Sequence, residues 1–366
     1  MPTIRQLGAD LGVSLSTLNA ALAELEDRDV IRRRQGSGIF VAPTLGRRNL
    51  CLICNPASLL DFGTSPIWGQ MIDAARRRAG DLDENLSIHF AQIANELSTE
   101  AALHGRLAGD IAARNVQGVL SIGLPHALTR WIEGCGVPVV SFAGPSDYIV
   151  WLSRPEVIAR GVEELTRRGC RTLVLWIPLS AHQPEPPTGE AVQAFKDALG
   201  SHGLPYRADL AERFAPRISP DAPSMQSFPG QGFEAMTRIA ASEGPRPDGI
   251  MSTDDMLTQG LLMAMARHGL RPGRDVHIAT QSNRHSPALL GWEEAITRIE
   301  FDPAEIVAAM FDALESLLAG EAPAGAVPVP MDPSLPDYQP PERQILIRPR
   351  IIQPGESAFP LPAPCS

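Results

Sequence analysis

Ile4, Leu7 and Leu11 recur at helical spacing behind a Thr3–Gln6 capping pair, and Gly12 can take the left-handed conformation that ends a helix. A second amphipathic run follows. Ser14 is placed to cap it, and Leu15, Leu18, Leu22 and Leu25 repeat at intervals of three and four along one side. The pattern then shortens. Val30 and Ile31 start a strand, Gln35-Gly-Ser-Gly38 makes a tight turn, and Ile39-Phe-Val41 returns. The order helix, turn, helix, hairpin is a helix-turn-helix with a wing, in which the second helix is the reader.

From residue 49 the pattern is an alternation of apolar strands and amphipathic helices. The spacing predicts strands at 50–54, 87–93, 118–122 and 138–142, with helices at 71–78, 100–114 and 127–133 between or beside them. It resumes with helices at 156–168, 190–200, 232–242 and 256–268 and strands at 172–177, 249–252 and 276–280. Alternation of this kind implies parallel sheets with crossover helices, here two successive doubly wound units. Ligands of such sheets bind at the carboxyl ends of the strands, and two facing units make a cleft.

Composition limits what these elements can do. A chain of 366 residues suggests two or three domains, and 44% hydrophobic with 20% charged residues is ordinary for a globular protein. The formal net charge of -10 would repel nucleic acid if spread evenly, so a DNA site has to be a local basic patch. Arg32, Arg33, Arg34, Arg47 and Arg48 supply one, with no acidic residue between Arg32 and Arg48. On the second helix, Ser16, Thr17 and Asn19 offer short polar groups near the N-terminus, where phosphate oxygens and base edges would be met.

These residues carry a resemblance. Pro2, Thr3, Arg5, Val13, Ser14, Arg33, Arg34, Gly36, Gly38, Phe40 and Val41 match the pattern of the GntR-type winged helix, in which a Pro-Ser/Thr-x-Arg start, a Val-Ser turn and an Arg-Arg-x-Gly-x-Gly-x-Phe-Val wing frame a Leu-rich reader helix. The resemblance implies DNA contact through Thr3, Arg5, Ser14, Ser16, Thr17, Asn19, Arg32, Arg33, Arg34, Gly36, Ser37 and Gly38. Leu15 and Asn19 stand where that family often has Arg, so its operator sequence does not carry over. The family also has one more helix before this start, and the expectation is an upstream, in-frame extension of roughly 25 to 35 residues supplying it.

A second resemblance covers residues 49–354. Val116-Gln-Gly-Val-Leu-Ser-Ile-Gly123, Gly136-Val-Pro-Val-Val-Ser141, Gly161 to Gly169, Pro247-Asp-Gly-Ile-Met-Ser-Thr-Asp-Asp255 and Gly269 to Val276 are similar to the effector domain of LacI/GalR-type regulators, itself similar to periplasmic sugar-binding proteins. A winged helix of the first kind joined to an effector domain of the second is the architecture of arabinose-type repressors. The implied division is a DNA-binding domain at 1–42, a linker at 43–48, an effector domain at 49–354 and a tail at 355–366. Within the effector domain, subdomain one is expected at about 49–147 and 294–325 and subdomain two at about 148–290 and 340–354. The fold class is α/β: the winged helix-turn-helix, its first helix missing, followed by two doubly wound parallel-sheet subdomains of periplasmic-binding-protein type.

The same resemblance places Asp255 on the ligand. Asp254 or Asp255 alternatively caps the following helix. Trp68 stands in a loop where the family often sets an aromatic against the ligand, though a core tryptophan reads equally well. The family's Arg at the start of a later helix aligns with Ala191, and its Gly-Phe-Asp-Asp has become Thr280-Gln-Ser-Asn283, leaving Gln281 and Asn283 as amide donors and acceptors.

No catalytic, cofactor or metal motif emerges: the histidines are dispersed, and no H-E-x-x-H, G-x-S-x-G or G-x-x-x-x-G-K occurs. Cys51 and Cys54 form a C-x-x-C inside an apolar strand, where residues three apart point to opposite faces, which argues against a metal or redox pair. Five scattered cysteines fit a reducing compartment, and no signal peptide or membrane span is visible. The expectation is a cytoplasmic, dimeric, non-enzymatic regulator, a repressor in the first instance. It would bind a double-stranded operator and be controlled by a sugar-like effector, with no cofactor. The alternative is a cytoplasmic small-molecule binding protein that has lost DNA binding, with a sugar-metabolising enzyme as a distant third.

Overall fold

The computed structural model describes residues 4–27, 30–34, 38–41, 46–56, 66–95, 97–179, 189–218, 227–329 and 343–355. Thr3, Gly36 and Ser37 lie outside these residues, as do the side chains of Arg5 and Arg34.

The N-terminal unit has helices α1 (Ile4–Leu11) and α2 (Leu15–Asp27) and a hairpin of β1 (Ile31–Arg34) and β2 (Gly38–Val41). Gly12 ends α1 at φ 65°, and the Val13 N–H reaches back to the Gly8 carbonyl at 3.1 Å, so the C-cap follows from the sequence as expected. Ser14 caps α2 by accepting from the Thr17 N–H at 3.1 Å. Only part of the leucine stripe is buried. Leu18 and Leu22 pack with Ile31, supported by Ile4, Leu7, Val30 and Ile39. Leu15 is 48% exposed, and Leu11, Leu25, Phe40 and Val41 are exposed with it, an uncovered apolar rim on a very small core.

The rest is two sheets. The first joins β3 (Asn49–Cys54), β4 (Asn85–Phe90), β5 (Gly118–Ile122), β6 (Val139–Phe142), β7 (Tyr148–Leu152), β12 (Val327–Pro328) and β13 (Arg343–Ile347) in the order β12-β13-β7-β6-β5-β3-β4. All neighbours are parallel except β12 with β13. The second has the order β14-β11-β10-β9-β8, from β8 (Leu173–Trp176), β9 (Gly249–Ser252), β10 (His277–Asn283), β11 (Thr297–Phe301) and the antiparallel β14 (Arg350–Ile352).

Helices cover both faces of each sheet, which is why the strands read as unbroken apolar runs. Leu52, Leu120 and Val140 face α3 (Ile67–Asp81) and α11 (Pro303–Leu318), while Cys51, Ile53 and Val119 face α4 (Gly105–Ala112) and α5 (His126–Gly134). Cys51 and Cys54 therefore do lie in separate cores on opposite faces of β3. In the second unit, α6 (Arg154–Arg167) and α7 (Glu190–Ser201) cover one face and α8 (Ala208–Phe214), α9 (Phe228–Ala240) and α10 (Asp255–Arg267) the other.

Several expectations are corrected. Residues 100–114 do not form one helix: a single 3-10 turn at Glu100–Ala102 is followed by extended Leu103 and His104, which turns Leu103 into the core before α4 begins. The strand β7 and the helix α8 were not foreseen. The division of the effector unit also differs. β11, expected with the first subdomain, pairs with β10 in the second sheet, whereas β7 and β13, expected with the second, complete the first. The cause is topological: the chain changes sheets after β7, after β11 and between β13 and β14, so each boundary falls at a strand's carboxyl end.

Helices α9 and α10 cross at Gly232 and Gly260. A Cβ at Gly260 would lie 1.7 Å from the Pro229 carbonyl oxygen, and one at Gly232 would lie 1.9 Å from that of Leu257. Backbone cannot yield as a flexible side chain can. Gly260→Ala is therefore expected to destabilise the second unit by about 1 to 3 kcal/mol, although alanine favours helices. Urea denaturation checks this, and an unchanged or raised midpoint would contradict the close crossing.

Candidate functional site

The carboxyl ends of both sheets meet the crossing segments, and the candidate ligand residues gather there. In the second unit, Asp254 follows β9 and caps α10, its Oδ1 accepting from the Leu257 N–H at 2.9 Å. The Thr258 and Ser252 hydroxyls donate to the Asp254 carbonyl oxygen at 2.9 and 3.1 Å, and the Thr280 hydroxyl of the neighbouring strand, which donates to the Gln281 carbonyl at 2.9 Å, lies against that of Thr258 at 2.8 Å. The turn is thus held from its own helix and from the neighbouring strand.

With Asp254 in the cap, Asp255 has no capping duty, which separates two roles the sequence left open. Asp255 is only 1% exposed, and Asn283 at the end of β10 donates its Nδ2–H to Asp255 Oδ2 at 3.5 Å. Gln281 lies two residues earlier on the same strand face as Asn283 and is half-buried. Ser282, between them, is buried and borders a water-sized cavity of about 10 Å³ with His285 and Arg298. A larger pocket of about 850 Å³ lies beside β8, lined by Leu175, Ile177, Phe195 and Tyr206 among others. None of the four expected ligand residues lines that pocket.

The fourth candidate residue lies on the first unit. Trp68, expected in a loop, lies instead in the first turn of α3; it is half-buried, packs against the first unit's core and sets its ring edge-on to Phe142, with centroids 5.9 Å apart. Asn55, after β3, donates its N–H to the Ile122 carbonyl and its Nδ2–H to that of Gly123, tying the ends of β3 and β5 together. The adjoining turns are conformationally demanding: Ala143 has φ 54° and His285, across the cleft, φ 61°. The structure thus brings Asp255 and Asn283 together, sets Gln281 beside them and places Trp68 on the other subdomain. Ala191, aligned with the family's ligand arginine, is buried in the core under α7. The sequence reading missed Asn55, and also Gln70 of α3, whose Nε2 donates to the Arg284 and His285 carbonyls. A polar residue closing the apolar run of β3 could have signalled Asn55; nothing in the pattern marks Gln70.

In the N-terminal unit, Ser16, Thr17 and Asn19 are all exposed on α2. The arginines divide. β1 and β2 pair with Arg32 opposite Phe40 and Arg33 opposite Ile39, so Arg33 shares the core face with Ile31 while Arg32 is exposed. Arg33 is tied to α2: its Nε lies 3.1 Å from the Glu26 carboxylate, and its Nη2 donates to the Asn19 carbonyl at 3.3 Å. The Gly38 end of the hairpin is described and exposed.

Burial, reinforced by the neighbouring Asp255 carboxylate, pushes the Asp254 pKa up to about 7. An unfolded aspartate titrates near 3.9, so folding takes up a proton between these values, and this group's contribution to stability falls as pH rises from about 4 to about 7. Asn caps a helix as well as Asp does. Asp254→Asn should therefore keep the cap and remove the titration, becoming more stable relative to the parent as pH rises through that window. Unfolding free energies of the two proteins that run parallel from pH 4 to 7 would contradict the assignment.

With this geometry established, comparison with known proteins gives two separate matches. Residues 1–41 match the family of bacterial regulatory proteins, gntR family, and residues 162–335 match the periplasmic binding protein-like domain. The HTH-type transcriptional regulator SmoD of Agrobacterium fabrum is 33% identical over the part matched, which is 21% of this chain and 42% of that protein. The chain thus spans less than half the length of this curated relative. Among solved structures, a LacI-family regulatory protein from Chloroflexus aggregans superposes with a TM-score of 0.62 at 17% identity, over 84% of this chain and 98% of that one. The trehalose repressor of Escherichia coli gives 0.56 at 14% identity over 84% and 100%. The transcriptional regulator CelR in its cellobiose complex gives 0.57 at 15% over 98% and 100%. The chain therefore joins a GntR-family helix-turn-helix at its N-terminus to a periplasmic-binding-protein-like domain with the fold of LacI-family regulators.

Proposed function

We propose that this protein is a transcriptional regulator whose operator affinity is set by a sugar-like small molecule bound between its two α/β subdomains. The observation that carries the reading is the join itself: a capped reader helix with an exposed polar face, followed by two facing parallel sheets linked three times at their carboxyl ends. The trehalose repressor and the cellobiose-bound regulator among the similar structures support a sugar-like effector. In this reading the protein acts in the cytoplasm as a homodimeric repressor without enzymatic activity, its DNA-binding domain at 1–42 and its effector domain at 49–354. Effector binding closes the subdomains, changes the spacing of the paired winged helices and alters their fit to a two-half-site operator.

Within it, Asp255 and Asn283 are a carboxylate–amide pair for effector hydroxyls, Gln281 adds an amide and Trp68 an apolar face from the opposite subdomain. On DNA, Ser14, Ser16, Thr17, Asn19, Arg32 and Gly38 form the reading surface, together with Thr3, Arg5, Arg34, Gly36 and Ser37. Arg33 acts by holding the hairpin against α2. The uncovered apolar rim of the N-terminal unit favours a second reading, a small-molecule binding protein that no longer holds DNA. Anisotropy titration with DNA from the gene's own upstream region separates the two, and absence of any sequence preference there would sink the first.

The arginines give a sharper expectation. Arg32→Ala should weaken binding to all sequences and reduce the salt slope by about one phosphate contact, whereas Arg33→Ala should chiefly lower the stability of the N-terminal unit. An unchanged salt slope for Arg32→Ala would remove the wing from the interface. For the cleft, Asp255→Ala should raise the cellobiose or trehalose concentration needed for response at least tenfold, since a hydrogen bond to a charged group is worth about 1.5 to 3 kcal/mol. Operator binding without sugar should stay intact, because Asp254 keeps the cap. A full response at the usual sugar concentration would take Asp255 out of the site.

A further inference from the structure

Gln70, in the first turn of α3, is one of the points at which the two units hold each other, the Arg350–Glu305 ion pair between β14 and α11 being another. Its Nε2 donates one N–H to the Arg284 carbonyl and the other to the His285 carbonyl, each at 3.2 Å, across from the first subdomain to the second. The segment it holds is connected in two further directions. Arg284 pairs with Asp302 at 2.7 Å, and Asp302 caps α11 through the Ala304 N–H at the second crossing between the sheets. Burial acts to raise the Asp302 pKa, but the Arg284 hydrogen bond and charge prevail and hold it below the usual carboxylate range. Immediately before Arg284, Asn283 donates to Asp255. His285 is held at φ 61°, a conformation a non-glycine residue adopts only when its surroundings impose it.

We propose that Gln70 is a positioning residue that latches the loop after β10 to helix α3, so that two hydrogen bonds from one amide set how far the cleft stands open when no effector is bound. Both of its donors are committed across the cleft, while its Oε1 is buried and accepts no hydrogen bond from the described residues. An amide suits this task. Backbone carbonyls need donors, and a carboxylate of the same length would present only acceptors to them. Because Trp68 lies two residues before Gln70 in the same turn, and Asn283 one residue before Arg284, any movement of the latch is passed to both walls of the cleft at once. The consequence for effector affinity rests on the reading above; the latch itself does not.

The test therefore uses the full chain without effector. Gln70→Ala and Gln70→Glu are compared with the parent and with Arg76→Ala, a side chain 73% exposed on the same helix. Peptide-level hydrogen exchange should show residues 284–289 exchanging roughly tenfold faster in both Gln70 variants, as expected for loss of two modest hydrogen bonds, while residues 249–252 exchange as before. Small-angle scattering should give a larger radius of gyration in the Gln70 variants and an unchanged one in Arg76→Ala, a separation of the lobes that a merely local structural role would not produce. Should Gln70→Ala fail to fold, Gln70→Glu, with the same side-chain length, decides alone. Exchange and radius unchanged in the folded Gln70 variants, or altered equally by Arg76→Ala, overturn the latch. That outcome would leave the regulator reading standing. Failure of the parent to bind DNA would do the reverse.

Discussion

The two-lobed unit depends on one constraint: the chain passes between its sheets three times, each time at the carboxyl end of a strand. A parallel sheet presents its backbone carbonyls and the turns that follow them at that end, which is where ligands bind in such folds. Here the same end also carries β7 into α6, β11 into α11 and β13 into β14. Whatever fills the space between the sheets is therefore in immediate reach of all the covalent links between them. Were the crossings at the amino ends, ligand and hinge would lie on opposite sides of each sheet, and occupancy would have little leverage on the relative position of the lobes.

Much of this was legible in the chain. The Gly12 C-cap, the Ser14 N-cap and the paired strands β1 and β2 were set by local chemistry: a glycine free to take positive φ, a hydroxyl three residues before an open N–H, and apolar residues alternating along two short runs. The buried run Leu50 to Cys54 announced a strand covered on both faces, as it is. What could not be read were properties that depend on remote parts of the chain. The membership of β7, β11 and β13 is decided by pairing with strands up to two hundred residues away, and nothing within those segments encodes it. The break before Gly105 arises because Leu103 is better placed in the α5 core than on a continued helix.

The candidate site divides in the same way. The resemblance singled out Asp255, but two adjacent aspartates before a helix are equally good caps by local chemistry, and it is the fold that gives the cap to Asp254 and sets Asp255 against Asn283. Arg32, Arg33 and Arg34 form one basic run in the sequence, yet strand alternation sends Arg32 outward and turns Arg33 toward Glu26 and α2. Gln70 carried no signal at all. A single amide in an amphipathic helix is commonplace, and its meaning comes from the carbonyls of Arg284 and His285 that another unit brings to it.

The separation of Cys51 and Cys54 onto opposite faces of one strand gives the molecule internal reporters of its own unravelling. Each thiol is buried in a different layer, and burial pushes the Cys54 pKa up to about 12 and raises that of Cys51, so neither is reactive while its layer is closed. Cys170 plays the same part in the second unit, beneath α6 and α7, with its pKa likewise raised to about 12. An alkylating reagent would thus mark three hydrophobic layers independently, and the order in which the thiols become labelled would be the order in which the layers come apart.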